Sequence, residues 1–408
     1  MSNTNQVIIA GGGPVGLISA YALAQQGVAV TVLDQNDGLQ DDPRAATTHS
    51  ATLEVLENLG VVEEVIAQGL VAPKFQFWDR PTGQLVAEFD HALIARDTKF
   101  PYVVQCEQFK LARIVYNRLR AFSHARVLFN HSVTDCEQDE NGVRVYADTP
   151  DGPTAFEGRY LIGADGGRST VRKAAGIEFN GFTWPERFLV LTTPFDFEKE
   201  CGMSYRNYIA DPDEWCNCFK VAGDGPPGLW RLVFPADPNA EEASLLSDKF
   251  VQNQMQKFFH RSEDYEIVHR NLYNVHQRVA KTFRKGRMLL AGDSAHVNNS
   301  IGGMGLNGGI QDAMNLAGKL TEIMTGKASD VLLDLYDLQR RSYATEFVQQ
   351  QTIENKKRLE ARDDETRREN MENLAQISND PDQARHFLLR ASMITAMRHN
   401  AEISLEAA

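Results

Sequence analysis

QVIIAGGGPVGLISAYALAQQGVAVTVLD, residues 6–34, decides the fold. An apolar run (QVIIA) leads into glycines, a helical stretch (LISAYALAQQG) follows, and VAVTVLD reads as a second strand, so the segment predicts a βαβ unit. Gly11, Gly13 and Gly16 form GxGxxG at the passage from strand to helix, with Pro14 and Val15 completing the turn. The first glycine permits the tight turn, the second lets backbone approach a pyrophosphate, and the third lets helix and strand pack closely. The helix N terminus adds free N–H groups and the positive end of its dipole. Asp34, followed by Gln35, stands where a carboxylate accepts hydrogen bonds from ribose hydroxyls. An acid there suits NAD or FAD better than NADP, whose extra phosphate it repels; the unit alone does not choose between the first two.

Two further strand ends carry acids. YLIGADGGRSTVRKAAG, residues 160–176, places Asp165 and Gly166 after one strand, with Arg168 and Arg172 at a helix start. GRMLLAGDSAH, residues 286–296, ends another in Gly292 and Asp293. Ligands of open α/β sheets bind at that carboxyl edge, where a carboxylate can accept hydrogen bonds from a sugar-alcohol chain. IGGMGLNGG, residues 301–309, then offers backbone without Cβ bulk, and a helix is expected from Gly309 onward.

The rest of the chain organises around these points. Its 408 residues, 42% hydrophobic, suffice for two or three domains. Residues 50–60 predict a helix, 73–90 a hairpin, and 125–165 the strands of an α/β layer. Between about 181 and 275, aromatic β-rich runs such as RFLVLTTPF and LWRLVFP predict a mainly antiparallel sheet. Beyond 330 the chain reads as charged helices, in which HFLLRASMITAM (386–397) needs apolar cover from its own core or from a second subunit in a homodimer. The predicted class is α/β: a Rossmann-like domain of residues 1–72, 98–180 and 276–340, interrupted by a β-sheet domain of residues 73–97 and 181–275, with a helical region over 341–408. A net charge of -13 speaks against nucleic acid or an anionic membrane as partner. The absence of a secretory signal and of a spanning apolar run, with an odd five cysteines, predicts a cytoplasmic protein without a disulfide framework. Cys216 and Cys218 share one face of a strand and read as core, and no metal site is expected.

The three ordered motifs, with GGxGxN and the following DA, NLA and KL, resemble the single-component flavoprotein aromatic hydroxylases, the para-hydroxybenzoate and phenol hydroxylase group, over residues 6–340. The resemblance implies FAD as cofactor, with the Gly11–Gly16 turn on its pyrophosphate and Asp34 on its adenosine ribose. It puts Arg44 near the pyrophosphate, Gln105 and Asp165 in contact with cofactor, Gly292 and Asp293 at the ribityl chain, and Gly303, Gly305, Leu306 and Asn307 along the flavin edge. It also implies NADH or NADPH as a transient donor and dioxygen as co-substrate. A flavin C4a-hydroperoxide would then hydroxylate a small phenolic, aminophenolic, hydroxybenzoate-like or N-heteroaromatic ring. Where family members commonly carry prolines, this chain has Asn299 and Ser300, which with His49 are the candidates for contact with substrate or the reacting flavin. Tyr205, Tyr208, Asn217, Phe219 and Arg231 are candidates for the substrate pocket, and Arg206 or Arg231 could pair with a substrate carboxylate. The same fold would also host an epoxidase, a quinone-pathway hydroxylase, a halogenase (disfavoured by the lack of WxWxIP) or a flavin-binding regulator without turnover.

Overall fold

The computed structural model describes residues 5–41, 43–361 and 363–405. Its first sheet runs in the order Arg284–Lys285, Met288–Leu290, Tyr160–Gly163, Val7–Ala10, Val30–Leu33, Ala125–Leu128, parallel except at the Arg284–Lys285 edge. Val7–Ala10 is buried throughout, as a central parallel strand covered on both faces must be. The helix Pro14–Gln25 packs on one face beside the helix Met304–Met324.

The strands expected around 132–158 do not join this layer. Ser132–Gln138, Val143–Asp148 and Thr154–Gly158 form a separate antiparallel meander. The cause is local: Asp139 accepts hydrogen bonds from the Asn141 and Gly142 N–H groups and closes a hairpin. Val143–Asp148 then alternates buried with exposed residues, as a strand with one wet face does.

The second large sheet has eight strands, in the order His296–Val297, His269–Ala280, Phe179–Thr193, Leu229–Ala236, Cys216–Val221, Arg206–Ala210, Lys74–Asp79, Gln84–Asp90. Only the pairing of Arg206–Ala210 with Lys74–Asp79 is parallel. One face packs on the helix Asp248–Phe258 around Cys216, Cys218, Trp230 and Phe234, so both cysteines are core. The opposite face carries Phe75, Phe77 and Tyr208, packed against Ile301, Met304 and the C-terminal helices. In the last of these, Leu388, Leu389, Met393 and Ile394 are buried by the chain itself, and Phe387 stacks on Phe89 at 4.4 Å. The apolar 386–397 segment therefore needs no second subunit to cover it. No described helix is long and apolar enough to cross a membrane.

The helix predicted from Gly309 begins five residues earlier, at Met304, after Gly303. Its glycines buy close approach: a Cβ on Gly309 would lie 2.7 Å from Val15, and one on Gly308 would lie 3.0 Å from the His296 ring. From this helix Asp312, fully buried, accepts from Arg340 Nε at 2.6 Å, from the Gly292 N–H at 3.0 Å and shares a 2.8 Å contact with His296 Nε2. Burial alone would raise the Asp312 pKa, but Arg340 and His296 outweigh it and hold the carboxyl down to about 2. Removing one partner of such a pair strands a buried charge. Arg340→Met is expected to cost about 3–5 kcal/mol in urea unfolding, and adding Asp312→Leu to it should recover part of that loss.

Candidate functional site

The glycine turn divides its labour as the motif predicts. Gly11 sits at φ +101°, and a Cβ there would come 2.3 Å from the Ala164 carbonyl oxygen. A Cβ on Gly16 would come 1.9 Å from the Gly11 oxygen. Around Gly13, by contrast, a Cβ would meet nothing within 4 Å, so the helix N terminus opens onto clear space. Asp34 closes the turn by accepting from the Gly12 N–H at 2.6 Å and from Asn36. Gln35 and Arg44 lie exposed at the rim, and the Arg44 carbonyl accepts from Arg231.

The three motifs meet here. Gly11 abuts Ala164 and Asp165, while Val15 touches the positions a Cβ would take on Gly292 and Gly309. Arg172 donates to the Ser294 carbonyl at 2.9 Å and to the Gly167 carbonyl at 2.8 Å, tying the second motif to the third. Asp165 points into its own loop, where Oδ2 accepts from the Thr170 and Val171 N–H groups. Asp293 leaves its carboxylate exposed on the short helical turn Gly292–Ser294.

Past that turn the side chains separate into braces and cavity walls. Asn299 is fully buried, and its carboxamide donates to Gln277 and the Thr352 carbonyl and accepts from the Ile301 N–H. It braces the loop and cannot also reach a substrate. Asn307 is likewise engaged, accepting from the His49 N–H and donating to the Thr47 and Gly303 carbonyls. Ser300 is exposed and shares a 2.9 Å hydrogen bond with the Tyr273 hydroxyl. His49 donates through Nε2 to the Gly302 carbonyl at 2.7 Å. Burial first, then the Arg206 charge, lowers its pKa to about 3, and the same causes hold His91 near 4.

Between this loop, the open face of the second sheet and the C-terminal helices lies a cavity open to solvent, about 400 Å³ with the solvent at its mouth included. Phe75, Phe77, Arg206 and Tyr208 line it from the sheet, Ile301, Gly302 and Met304 from the loop. Strand pairing sets Thr192, Arg231, Phe219 and Arg206 in one cross-strand row, with Asn217 opposite Tyr208 in the next. Of the expected pocket residues Tyr208 lines the cavity, as does Arg206, one of the two arginines expected to meet a carboxylate; Phe219 packs edge-on against Tyr208. Asn217 and Arg231 share its face of the sheet without reaching the lining. Tyr205 lies under the Lys220 ammonium on the other side. The two phenylalanines from the hairpin escaped the sequence reading because nothing local to KFQFWD shows which strand lies beside it.

The same residues fit FAD: clear space at Gly13, an accessible acid at Asp293, and a fully buried Gln105 whose Oε1 takes the Thr47 hydroxyl while Nε2 finds no protein partner. A family model described as "FAD binding domain" matches residues 4–351. The chain is 34% identical over 355 residues to para-nitrophenol 4-monooxygenase of Pseudomonas sp. (strain WBC-3), covering 85% of each chain. It is 33% identical to 6-hydroxy-3-succinoylpyridine 3-monooxygenase of Pseudomonas putida (strain DSM 28022 / S16), covering 95% of this chain and 98% of that one. The crystal structure of p-nitrophenol 4-monooxygenase from Pseudomonas putida DLL-E4 superposes with a TM-score of 0.91 at 31% identity, over 96% of this chain and 99% of that one. The chain belongs to the FAD-binding-domain family and is a flavoprotein monooxygenase of the aromatic hydroxylase type.

Two substitutions separate the roles of the glycines. Gly16→Ala should destabilise the fold by about 1–3 kcal/mol through overpacking. Gly13→Ala should leave unfolding within about 0.5 kcal/mol of the parent yet weaken FAD binding at least about tenfold, read by flavin fluorescence titration. The histidines set a pH dependence. Their folded pKa values lie below the usual 6.5, so the unfolded chain binds more protons, and stability present above that pH falls as pH drops toward 4 and 3. His49→Gln, which keeps a donor and removes one titration, should flatten the slope of unfolding free energy between about pH 6.5 and 4.

Proposed function

We propose that the protein uses NADH or NADPH and dioxygen to hydroxylate a small aromatic compound that binds as an anion, a phenolate or ring carboxylate, beside Arg206. The observation that carries this reading is the state of that guanidinium. Arg206 is 3% exposed, its Nη2 donates to the Tyr208 hydroxyl at 2.9 Å, its charge lies over the Phe75 ring, and its Nε has no partner. No carboxylate pairs with it among the described residues. A buried cation without a counterion is costly, and a substrate anion would supply the missing charge.

The cofactor, when bound, supplies the electron transfer and oxygen activation. The turn at Gly11–Gly16 would hold its pyrophosphate, Asp34 its ribose, Asp293 its ribityl chain, and Gln105 a further polar edge. The remaining work falls to the walls. Phe75, Phe77 and Phe387 exclude water and confine a flat ring. The Tyr208 oxygen already accepts from Arg206, so its own proton is available to a substrate oxygen. His49 and His91, held neutral, leave Arg206 as the positive charge there, which favours the ionised and more electron-rich form of a phenol. The relatives above are named for a nitrophenol and a hydroxylated succinoylpyridine, ring compounds of this kind.

The test is a panel of phenols and benzoates offered to the FAD-loaded protein with NADH or NADPH, following nicotinamide oxidation and hydroxylated product. Anionic aromatics should stimulate both. Arg206→Met should raise their KM by about a hundredfold, the loss of a charge-assisted contact, while neutral aromatics change little. Stimulation by neutral rings alone, unchanged in the variant, would contradict the reading.

A further inference from the structure

We infer that the helix Gln350–Leu359 selects the substrate by a second polar group, through the side-chain amides of Gln351 and Asn355. The inference rests on the reading that the cavity takes an aromatic anion. The cavity has a third wall, made by Gln351, Asn355 and Leu359 with Phe387 and Ala391. The FAD-binding-domain match ends at residue 351, so Asn355, Leu359, Phe387 and Ala391 lie beyond that domain match.

Gln351 and Asn355 are four residues apart and lie on one helix face. Both are half-buried in the lining, and neither side chain hydrogen-bonds within the described protein. Their neighbours on the helix do the structural work. Thr352 bonds the Val348 carbonyl and receives Gln277, while Lys356 pairs with Glu186 and Glu360 and lies 4.2 Å over the Trp184 ring. The helix is thereby fixed in rotation, with the two amides turned to the cavity. Asn355 Nδ2 comes within 2.9 Å of where a Cβ on Gly302 would stand, at φ +98°, so the loop admits the amide only because that residue is glycine.

A carboxamide offers two donors and an acceptor and no charge. Facing a ring whose anionic group is held at Arg206, the pair matches a substituent that accepts hydrogen bonds: a nitro group, a carbonyl or a ring nitrogen. An analogue with an apolar substituent in that place would leave the amides desolvated and unpaired, which gives discrimination rather than mere affinity.

Ortho-, meta- and para-acetylbenzoate, each against its methylbenzoate counterpart, provide the test, since each pair shares the carboxylate and differs only in the accepting carbonyl. Dissociation constants are read on the FAD-loaded protein by calorimetry, without turnover. At least one acetyl isomer should bind about tenfold more tightly than its methyl partner. Gln351→Met combined with Asn355→Leu, close in volume to the originals, should bring that ratio within about twofold while flavin content and melting temperature hold. A ratio that survives the double substitution, or no acetyl preference in the parent protein, overturns the inference. If no benzoate binds the parent at all, the anion-binding reading of the cavity falls first, and this inference with it.

Discussion

The carboxylate of Asp312 faces three elements at once, and the cofactor cleft depends on its staying ionised in the core. One oxygen takes Arg340; the other takes the Gly292 N–H and His296. Gly292 and His296 flank Asp293, so the acid presented to the cleft is placed by a neighbour that never reaches it. Arg340 carries the constraint outward, to the Gly308 carbonyl at 3.2 Å and to Asn400 at 3.5 Å in the last helix. Tyr336 adds a 2.6 Å hydrogen bond to the Leu290 carbonyl, just before the turn. The ion pair is expensive to bury, and its full set of partners is what makes it tolerable. The C-terminal helices for this reason support the Gly292–Ser294 turn as well as covering the cavity.

Two kinds of rigidity meet at the cavity. On the cofactor side, backbone is held by glycine contacts too tight for any side chain, at Gly11, Gly16 and Gly309. On the substrate side, a twisted sheet presents side chains in cross-strand rows, so that Arg206 and Tyr208 act from one face with aromatic neighbours between and beside them. The loop 298–303 joins these regimes. In it Asn299 turns its Oδ1 back to the Ile301 N–H and reaches the Thr352 carbonyl with Nδ2. Hydrogen bonds here do the stiffening that a pyrrolidine ring would do elsewhere.

The cofactor half of this arrangement was legible in the sequence because its determinants are local. GxGxxG, Asp34 and the Gly-Asp turn each encode their own geometry within a few residues. The substrate half was not, because its walls come from residues 75–77, 206–208, 301–304, 351–359 and 387–391, which only the tertiary fold assembles. The strand Arg206–Ala210 is buried throughout, so no alternation within RNYIA shows which face looks at the loop. The sequence marks Asn299 and His49 as candidates for contact with substrate or flavin and Asn307 for the flavin edge, yet their side chains make bracing hydrogen bonds that no spacing rule reveals. The start of the helix at Met304 was missed because glycines read as loop, whereas here they admit Val15 and His296 to the helix surface.

In the proposed function, three separated motifs grip one FAD and leave its ring beside the Arg206 face of the second sheet. A crystal structure of the protein with FAD and an aromatic carboxylate measures this directly. Pyrophosphate density is expected at Gly13, the ribityl chain at Asp293, and the carboxylate within hydrogen-bonding reach of Arg206 and Tyr208. FAD seated away from these turns, or the anion bound outside the cavity with Arg206 untouched, would contradict it.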